Sequence, residues 1–225
     1  MVSHGNSVAK NAAMRAQGAK LIEHGEDFQS ALEHAKKLAA ELGYHLVPPY
    51  HRDIVLGVAT YWLELFTAVP EIDVAYVPVG MGSGICSAAA VRNALRLKTK
   101  LVGVVSEQAQ TYALSLEQKK IVEAPAQTKL ADGLACRRGD EDALQVMLEN
   151  VDHIVRVSDA EVAAAMRAMF TDTHNVVEGA GASGLAAAAK EAPALKGQRV
   201  ALIATGGNVD QDVFARVLAE TGTAA

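Results

Sequence analysis

Val74-Ala75-Tyr76-Val77-Pro78-Val79 is an almost unbroken apolar run, and it leads directly into Gly80-Met81-Gly82-Ser83-Gly84. A strand without polar alternation has both faces covered, so the rest of the chain must supply helices on either side of a parallel sheet. Leu101–Val105 repeats the pattern, and Val151–Val157 and Val200–Ala204 read as further strands. Helical segments alternate with them: Ile54–Ala68, a segment from the glycine loop to about Leu97, Ala109–Lys119, Asp140–Leu148 and Gly184–Glu191. Ser158-Asp159-Ala160-Glu161 forms a capping box that opens another helix, running to about Phe170. This alternation predicts an α/β chain, with an open, mostly parallel twisted sheet flanked by helices.

The front of the chain has a different character. Val8–Gln17 and Asp27–Leu42 have helical spacing, and Gly43 suits the C-terminal cap of the second. Gly18–Ile22 and Tyr44–Val47 read as short strands. Pro48-Pro49-Tyr50-His51-Arg52-Asp53 is the clearest linker, so the expected division is residues 1–47 and residues 48–225. After Asn208 only a short helix, Gln211–Glu220, is expected.

Composition narrows the function classes. Half of the 225 residues are hydrophobic, enough to bury a real core. No apolar run approaches the roughly 18 residues of a membrane span. The net charge of −5, with no basic cluster carrying aromatics, argues against nucleic acid as a partner. Cys86 and Cys136 lie far apart and outside any CxxC pattern, and read as small buried hydrophobes. The opening Met1-Val2-Ser3-His4-Gly5-Asn6 has no basic or apolar region of a secretory signal, so a reducing cytoplasm is the expected compartment.

The glycine loop carries the strongest chemical signal. A buried strand leads in and a helix leads out, so backbone N–H groups can converge on a phosphate at the positive end of the helix dipole. No lysine follows Gly84, which excludes a nucleotide-hydrolysing P-loop. The spacing is GxGxG rather than GxGxxG, and no acidic residue closes the next strand, so a dinucleotide site is a poor fit. A cofactor phosphate held by backbone alone, or a tight turn that binds nothing, both remain open on the loop itself. Three more segments bear on the choice: Thr205-Gly206-Gly207-Asn208 at a strand's carboxyl end, Glu178-Gly179-Ala180-Gly181-Ala182 before a helix, and Ala131-Asp132-Gly133-Leu134-Ala135 in a loop.

In this order, together with Gly18-Ala19, Leu21-Ile22, Val47-Pro48-Pro49 and Val77–Gly84, these segments resemble the serine/threonine dehydratases (threonine ammonia-lyases). Those are pyridoxal-phosphate enzymes of fold type II, like the tryptophan synthase β chain. The resemblance covers almost the whole chain. It implies a partial small domain in residues 1–47 and an incomplete large cofactor-binding domain in 48–225. It also implies pyridoxal 5'-phosphate as cofactor, an amino acid as small-molecule substrate, and a homodimer. The reaction implied is β-elimination from L-threonine or L-serine, giving a 2-oxo acid and ammonia, with the cofactor as electron sink.

Carried over by residue, Gly80, Met81, Gly82, Ser83 and Gly84 are expected to cradle the phosphate. Thr205 stands where the family usually has Ser, facing the pyridine nitrogen. Glu178, Gly207 and Asn208 are expected to line the pocket; a helix-start carboxylate is the plain alternative for Glu178. Some relatives bind a divalent cation after the strand ending here at Val105, but Val105 and Thr111 stand at those ligand positions and Glu107 is a single carboxylate, so no metal is expected.

One departure from the family pattern matters most. The family attaches its cofactor through a lysine in an early S-x-K-x-R-G-type motif, and covers the ring with an S-x-G-N-H-type loop. Neither occurs here. Ser3-His4-Gly5-Asn6 is out of register for the second, and Lys10 matches a lysine of a later helix, so the chain reads as starting inside the small domain. No catalytic residue is therefore assigned. An inactive truncated homologue and a cysteine-synthase-like β-replacement enzyme are the alternatives.

Overall fold

The computed structural model describes residues 1–220. They form two compact units: Met1–Pro49 with the segment from Asn208 onward, and Tyr50–Gly207.

In the first unit, α1 (Val8–Ala16) and α2 (Phe28–Leu42) begin at side-chain caps. Ser7 accepts from the Lys10 N–H, and Asp27 accepts from the Ser30 N–H. Gly43, at φ 67°, ends α2 in the left-handed conformation that glycine reaches without steric cost. The tail assigned to the second domain from sequence belongs instead to this unit. Its helix α9 (Gln211–Ala219) follows Asp210, whose carboxylate accepts from the Ser7 hydroxyl at 2.6 Å and from the Ala9 N–H at 3.2 Å. A carboxylate at the start of α1 meets both its unpaired N–H groups and its dipole. The two short strands expected here do not form. Gly18–Ile22 is irregular, with a single bridge between Val2 and Glu23 just beyond it, and Tyr44–Val47 has no ladder partner. An isolated apolar run cannot become a strand without a neighbour to satisfy its backbone.

The second unit is a four-stranded, fully parallel sheet in the order β3-β2-β1-β4. Its strands are β1 (Val74–Pro78), β2 (Lys100–Ser106), β3 (His153–Val157) and β4 (Val200–Leu202). Every residue of β1 is buried, as the unbroken apolar run requires. Helices α3 (Arg52–Ala68), α4 (Ser83–Ala94), α5 (Thr111–Gln118), α6 (Glu141–Asn150), α7 (Asp159–Thr173) and α8 (Gly179–Lys190) flank it. The Ser158 capping box is formed in full. One core cluster runs through Trp62, Phe66, Val77, Ile85, Leu101 and Met147. Cys86 and Cys136 are buried free thiols. No helix among the described residues is long and apolar enough to cross a membrane.

Helix α8 starts at Gly179, five residues before the expected Gly184. The cause is close packing. A Cβ at Gly179 would stand 2.2 Å from the Leu130 carbonyl oxygen, and one at Gly181 would stand 3.0 Å from that of Gly206. Small residues that read as loop are the first turn of a helix pressed against neighbouring backbone.

Candidate functional site

The carboxyl ends of β1 and β4 lie side by side. Tyr76 pairs with Leu202 in parallel register, so both segments leave the sheet at the same end. From β1 the chain turns through Gly80–Gly84 into α4. The N-cap of α4 is Gly82, at φ 97° and ψ −5°, and no side chain caps it. The first N–H groups of a helix have no partners within it, so this end is built to receive an anion.

The carbonyl side of the same loop is anchored in the core. Tyr112 donates its hydroxyl to the Met81 carbonyl at 2.9 Å, and Trp62 donates Nε1 to the Gly84 carbonyl at 3.0 Å. The buried Ser87 hydroxyl lies 2.6 Å from the Ser83 carbonyl. Burial pushes the Tyr112 phenol well above its ordinary range, despite the Asp140 N–H that it accepts, so it remains a donor. Burial likewise raises the Cys86 and Cys136 thiols to about 11. Both stay protonated near neutral pH, and Cys136 sits beside the loop with its sulfur 3.4 Å from that of Met81.

A second set of contacts runs from the loop to β4. The site of a Cβ on Gly80 lies 2.4 Å from the carbonyl oxygen of Gly133, in the turn Asp132–Leu134. That turn packs on Ala180 at the start of α8. Glu178, the N-cap of α8, donates its N–H to the Gly206 carbonyl at 3.0 Å, and its carboxylate lies 2.9 Å from where a Gly206 Cβ would stand. A Cβ on Gly207 would meet the Val176 carbonyl oxygen at 2.6 Å. Gly80, Glu178, Thr205, Gly206 and Gly207 thus share one end of the sheet. Thr205 is exposed there. Asn208 belongs to the first unit.

At the cation position considered above, Val105 is buried and the Thr111 hydroxyl donates to the Arg137 carbonyl at 3.1 Å. Among the described residues no three His, Cys, Asp or Glu side chains gather as a metal site. Sequence reasoning passed over Tyr112 and Trp62, because both read as ordinary apolar-face residues of helices. Nothing in the sequence marks their polar ends as anchors of the loop.

The description "Pyridoxal-phosphate dependent enzyme" belongs to the family whose profile matches residues 1–206. The chain belongs to this family. It is 29% identical over 212 residues to the L-threonine ammonia-lyase of Thermotoga maritima, covering 94% of this chain and 53% of that protein. It is 31% identical to the L-threo-3-hydroxyaspartate ammonia-lyase of Saccharomyces cerevisiae, covering 93% of this chain and 64% of that one. The processed threonine deaminase isoform 2 of Solanum lycopersicum superposes with a TM-score of 0.87 at 27% identity, over 98% of this chain and 66% of that chain. The chain therefore spans about half to two thirds of the length of these three relatives. Its architecture is the fold type II architecture of these pyridoxal-phosphate enzymes, and its family cofactor is pyridoxal 5'-phosphate.

The residues present fit that cofactor. The uncapped start of α4 offers N–H groups and no carboxylate within the loop, as a phosphate requires. The exposed Thr205 hydroxyl, one strand away, offers a neutral partner to a ring nitrogen.

Proposed function

We propose that residues Tyr50–Gly207 hold the phosphate and ring of pyridoxal 5'-phosphate for β-elimination of water from a hydroxy amino acid, hydrolysis of the unsaturated product then giving a 2-oxo acid and ammonia, threonine or serine being the candidate substrates. The observation that carries the reading is the uncapped α4 N-terminus at the carboxyl end of β1, at the same end of the sheet as Thr205–Gly207. The elimination class rests on relatives named as L-threonine and L-threo-3-hydroxyaspartate ammonia-lyases.

In this reading the N–H groups of Gly82, Ser83 and Gly84 bind the phosphate dianion, with the α4 dipole behind them. The Thr205 hydroxyl orients the ring through its nitrogen. A neutral hydroxyl leaves that nitrogen largely unprotonated, which suits elimination. Glu178, fixed by its N–H bond to Gly206, flanks the same pocket. When bound, the cofactor supplies the electron sink for loss of the Cα proton. Without an S-x-K-x-R-G-type motif, these residues by themselves bind the cofactor noncovalently, and turnover needs a lysine from outside them.

The test is to mix the purified chain with pyridoxal 5'-phosphate, reduce with borohydride, and map adducts by mass spectrometry. Scattered substoichiometric labelling, with saturable noncovalent binding and no ammonia from serine or threonine, is the expected result. One stoichiometric adduct on a single lysine would show that a substitute lysine exists. Absence of any saturable binding would overturn the cofactor reading itself.

A further inference from the structure

We infer that Tyr112 is a positioning residue for the cofactor phosphate: by pinning the Met81 carbonyl, it decides which face of the Met81–Gly82 peptide the phosphate meets. The inference rests on the cofactor reading above and goes beyond it to a residue outside the loop.

Gly82, at φ 97° and ψ −5°, has the dihedral angles of the third residue of a type II turn. A type I turn differs mainly by a flip of the central peptide, here the one joining Met81 to Gly82. Glycine makes that flip sterically easy. Among the described residues no peptide is cis, so the Met81 C=O and the Gly82 N–H point in opposite directions. In one state the N–H faces the anion; in the other, a carbonyl oxygen does. The second arrangement sets a partial negative charge against a phosphate.

Tyr112 selects between them. Its hydroxyl donates to the Met81 carbonyl at 2.9 Å, so that oxygen is drawn into the core and the Gly82 N–H is directed the other way. The tyrosine has little freedom to release it. It is 1% exposed, and its hydroxyl accepts the Asp140 N–H at 2.8 Å, which orients the phenol at the start of α6. Gly139 packs so tightly on the ring that a Cβ there would lie 2.8 Å from Cζ, and a Cβ on Gly82 would lie 3.4 Å from the hydroxyl. A phenol that accepts one hydrogen bond while donating another is a stronger donor than one that only donates.

The experiment compares the full chain with Tyr112→Phe, which keeps the ring and removes only the hydroxyl. Binding of pyridoxamine 5'-phosphate and of pyridoxamine is measured by equilibrium dialysis, with the ³¹P resonance of the bound phosphate followed in parallel. The expected result is a loss of about tenfold or more for pyridoxamine 5'-phosphate. Pyridoxamine affinity should stay within about twofold, and the ³¹P shift should move toward that of free ligand. An equal fall for both ligands would make the role merely structural, and unchanged affinity for both would remove it; either overturns the inference. If Tyr112→Phe fails to fold, the wild-type amide spectrum decides. The Gly82 N–H resonance should move downfield on titration with pyridoxamine 5'-phosphate but not with pyridoxamine, and a Gly82 resonance that stays in place overturns the inference. Failure of the wild-type chain to bind pyridoxamine 5'-phosphate at all would instead sink the cofactor reading, and this inference with it.

Discussion

The two walls of the candidate site are held very differently. The wall after β1 belongs to the centre of the sheet. Its carbonyls are tied to buried Tyr112, Trp62 and Ser87, and the strand leading into it is buried throughout. The wall after β4 follows a three-residue strand at the sheet edge that is only partly buried, and its Thr205 is exposed. A doubly charged phosphate requires several N–H groups aimed at one point, and such aim comes only from backbone fixed by a packed interior. A neutral hydroxyl facing one ring nitrogen needs far less precision. The division of rigidity between the walls follows the charge each is proposed to meet.

The sharpest way to break this comparison is to add one methyl group to each wall. A Cβ on Gly80 would lie 2.4 Å from the Gly133 carbonyl oxygen, which is backbone and cannot swing aside. Gly80→Ala should lower stability by about 1–3 kcal/mol in urea titration and abolish measurable binding of pyridoxal 5'-phosphate. Survival of tight binding in this variant would mean that the loop is softer than its anchors imply.

Trp62→Phe probes the same wall from below. The substitution keeps an aromatic ring at the buried Trp62 position but removes part of its volume together with the 3.0 Å donor to the Gly84 carbonyl. The lost hydrogen bond and the space left in the core should together cost about 1–3 kcal/mol, read as a lower urea midpoint with an unchanged slope. A neutral result would show that the core under the loop is less tightly packed than it looks and that Trp62 does not hold the loop in place.

The strong wall was largely legible in the sequence. Val74–Val79 could be read as a doubly covered strand because burial on both faces removes polar alternation, and the glycines that follow mark the turn. The helix starts at Asp27 and Ser158 were also readable, since capping depends on local side chains. Contacts made across the fold were not. From the sequence α8 is expected to start at Gly184, since Gly179 and Gly181 read as loop, whereas only neighbouring backbone from Leu130 and Gly206 explains why glycine stands there inside a helix. Gly18–Ile22 and Tyr44–Val47 look like strands by composition and fail for want of partners. Tyr112 and Trp62 act through single polar atoms at the ends of apolar side chains, and hydrophobic periodicity is blind to such atoms.

Gly206→Ala tests the weaker wall. Its Cβ would come 2.9 Å from a carboxylate oxygen of Glu178, the free end of a side chain that can rotate. The expected loss of stability is below about 1 kcal/mol, well under that of Gly80→Ala. Affinity for pyridoxal 5'-phosphate should fall by only a few fold, about 0.5 kcal/mol or so. Equal damage from the two substitutions would erase the distinction between the walls.

The smallest effect is expected at the amino end of β3, away from both walls. His153 lies between Asp152 at 2.8 Å and Glu191 at 2.9 Å, and the Tyr76 hydroxyl donates to Glu191 at 2.6 Å. Burial alone would lower the His153 pKa, but the two carboxylates outweigh it and raise the value. A raised folded-state pKa contributes stability that is complete below the unfolded value of about 6.5 and is lost as pH rises through the folded value. The side chain is 42% exposed, so solvent screening holds the contribution to about 0.5 kcal/mol or less. His153→Gln should therefore lower the urea midpoint slightly at pH 5.5 and leave it unchanged at pH 9. Affinity for pyridoxal 5'-phosphate should be the same in both proteins at both pH values. A midpoint difference that persists at pH 9 would mean that His153 acts through packing rather than charge. A change in cofactor affinity would mean that the two ends of the sheet are coupled, and that the rigidity of the β1 wall extends along the whole strand.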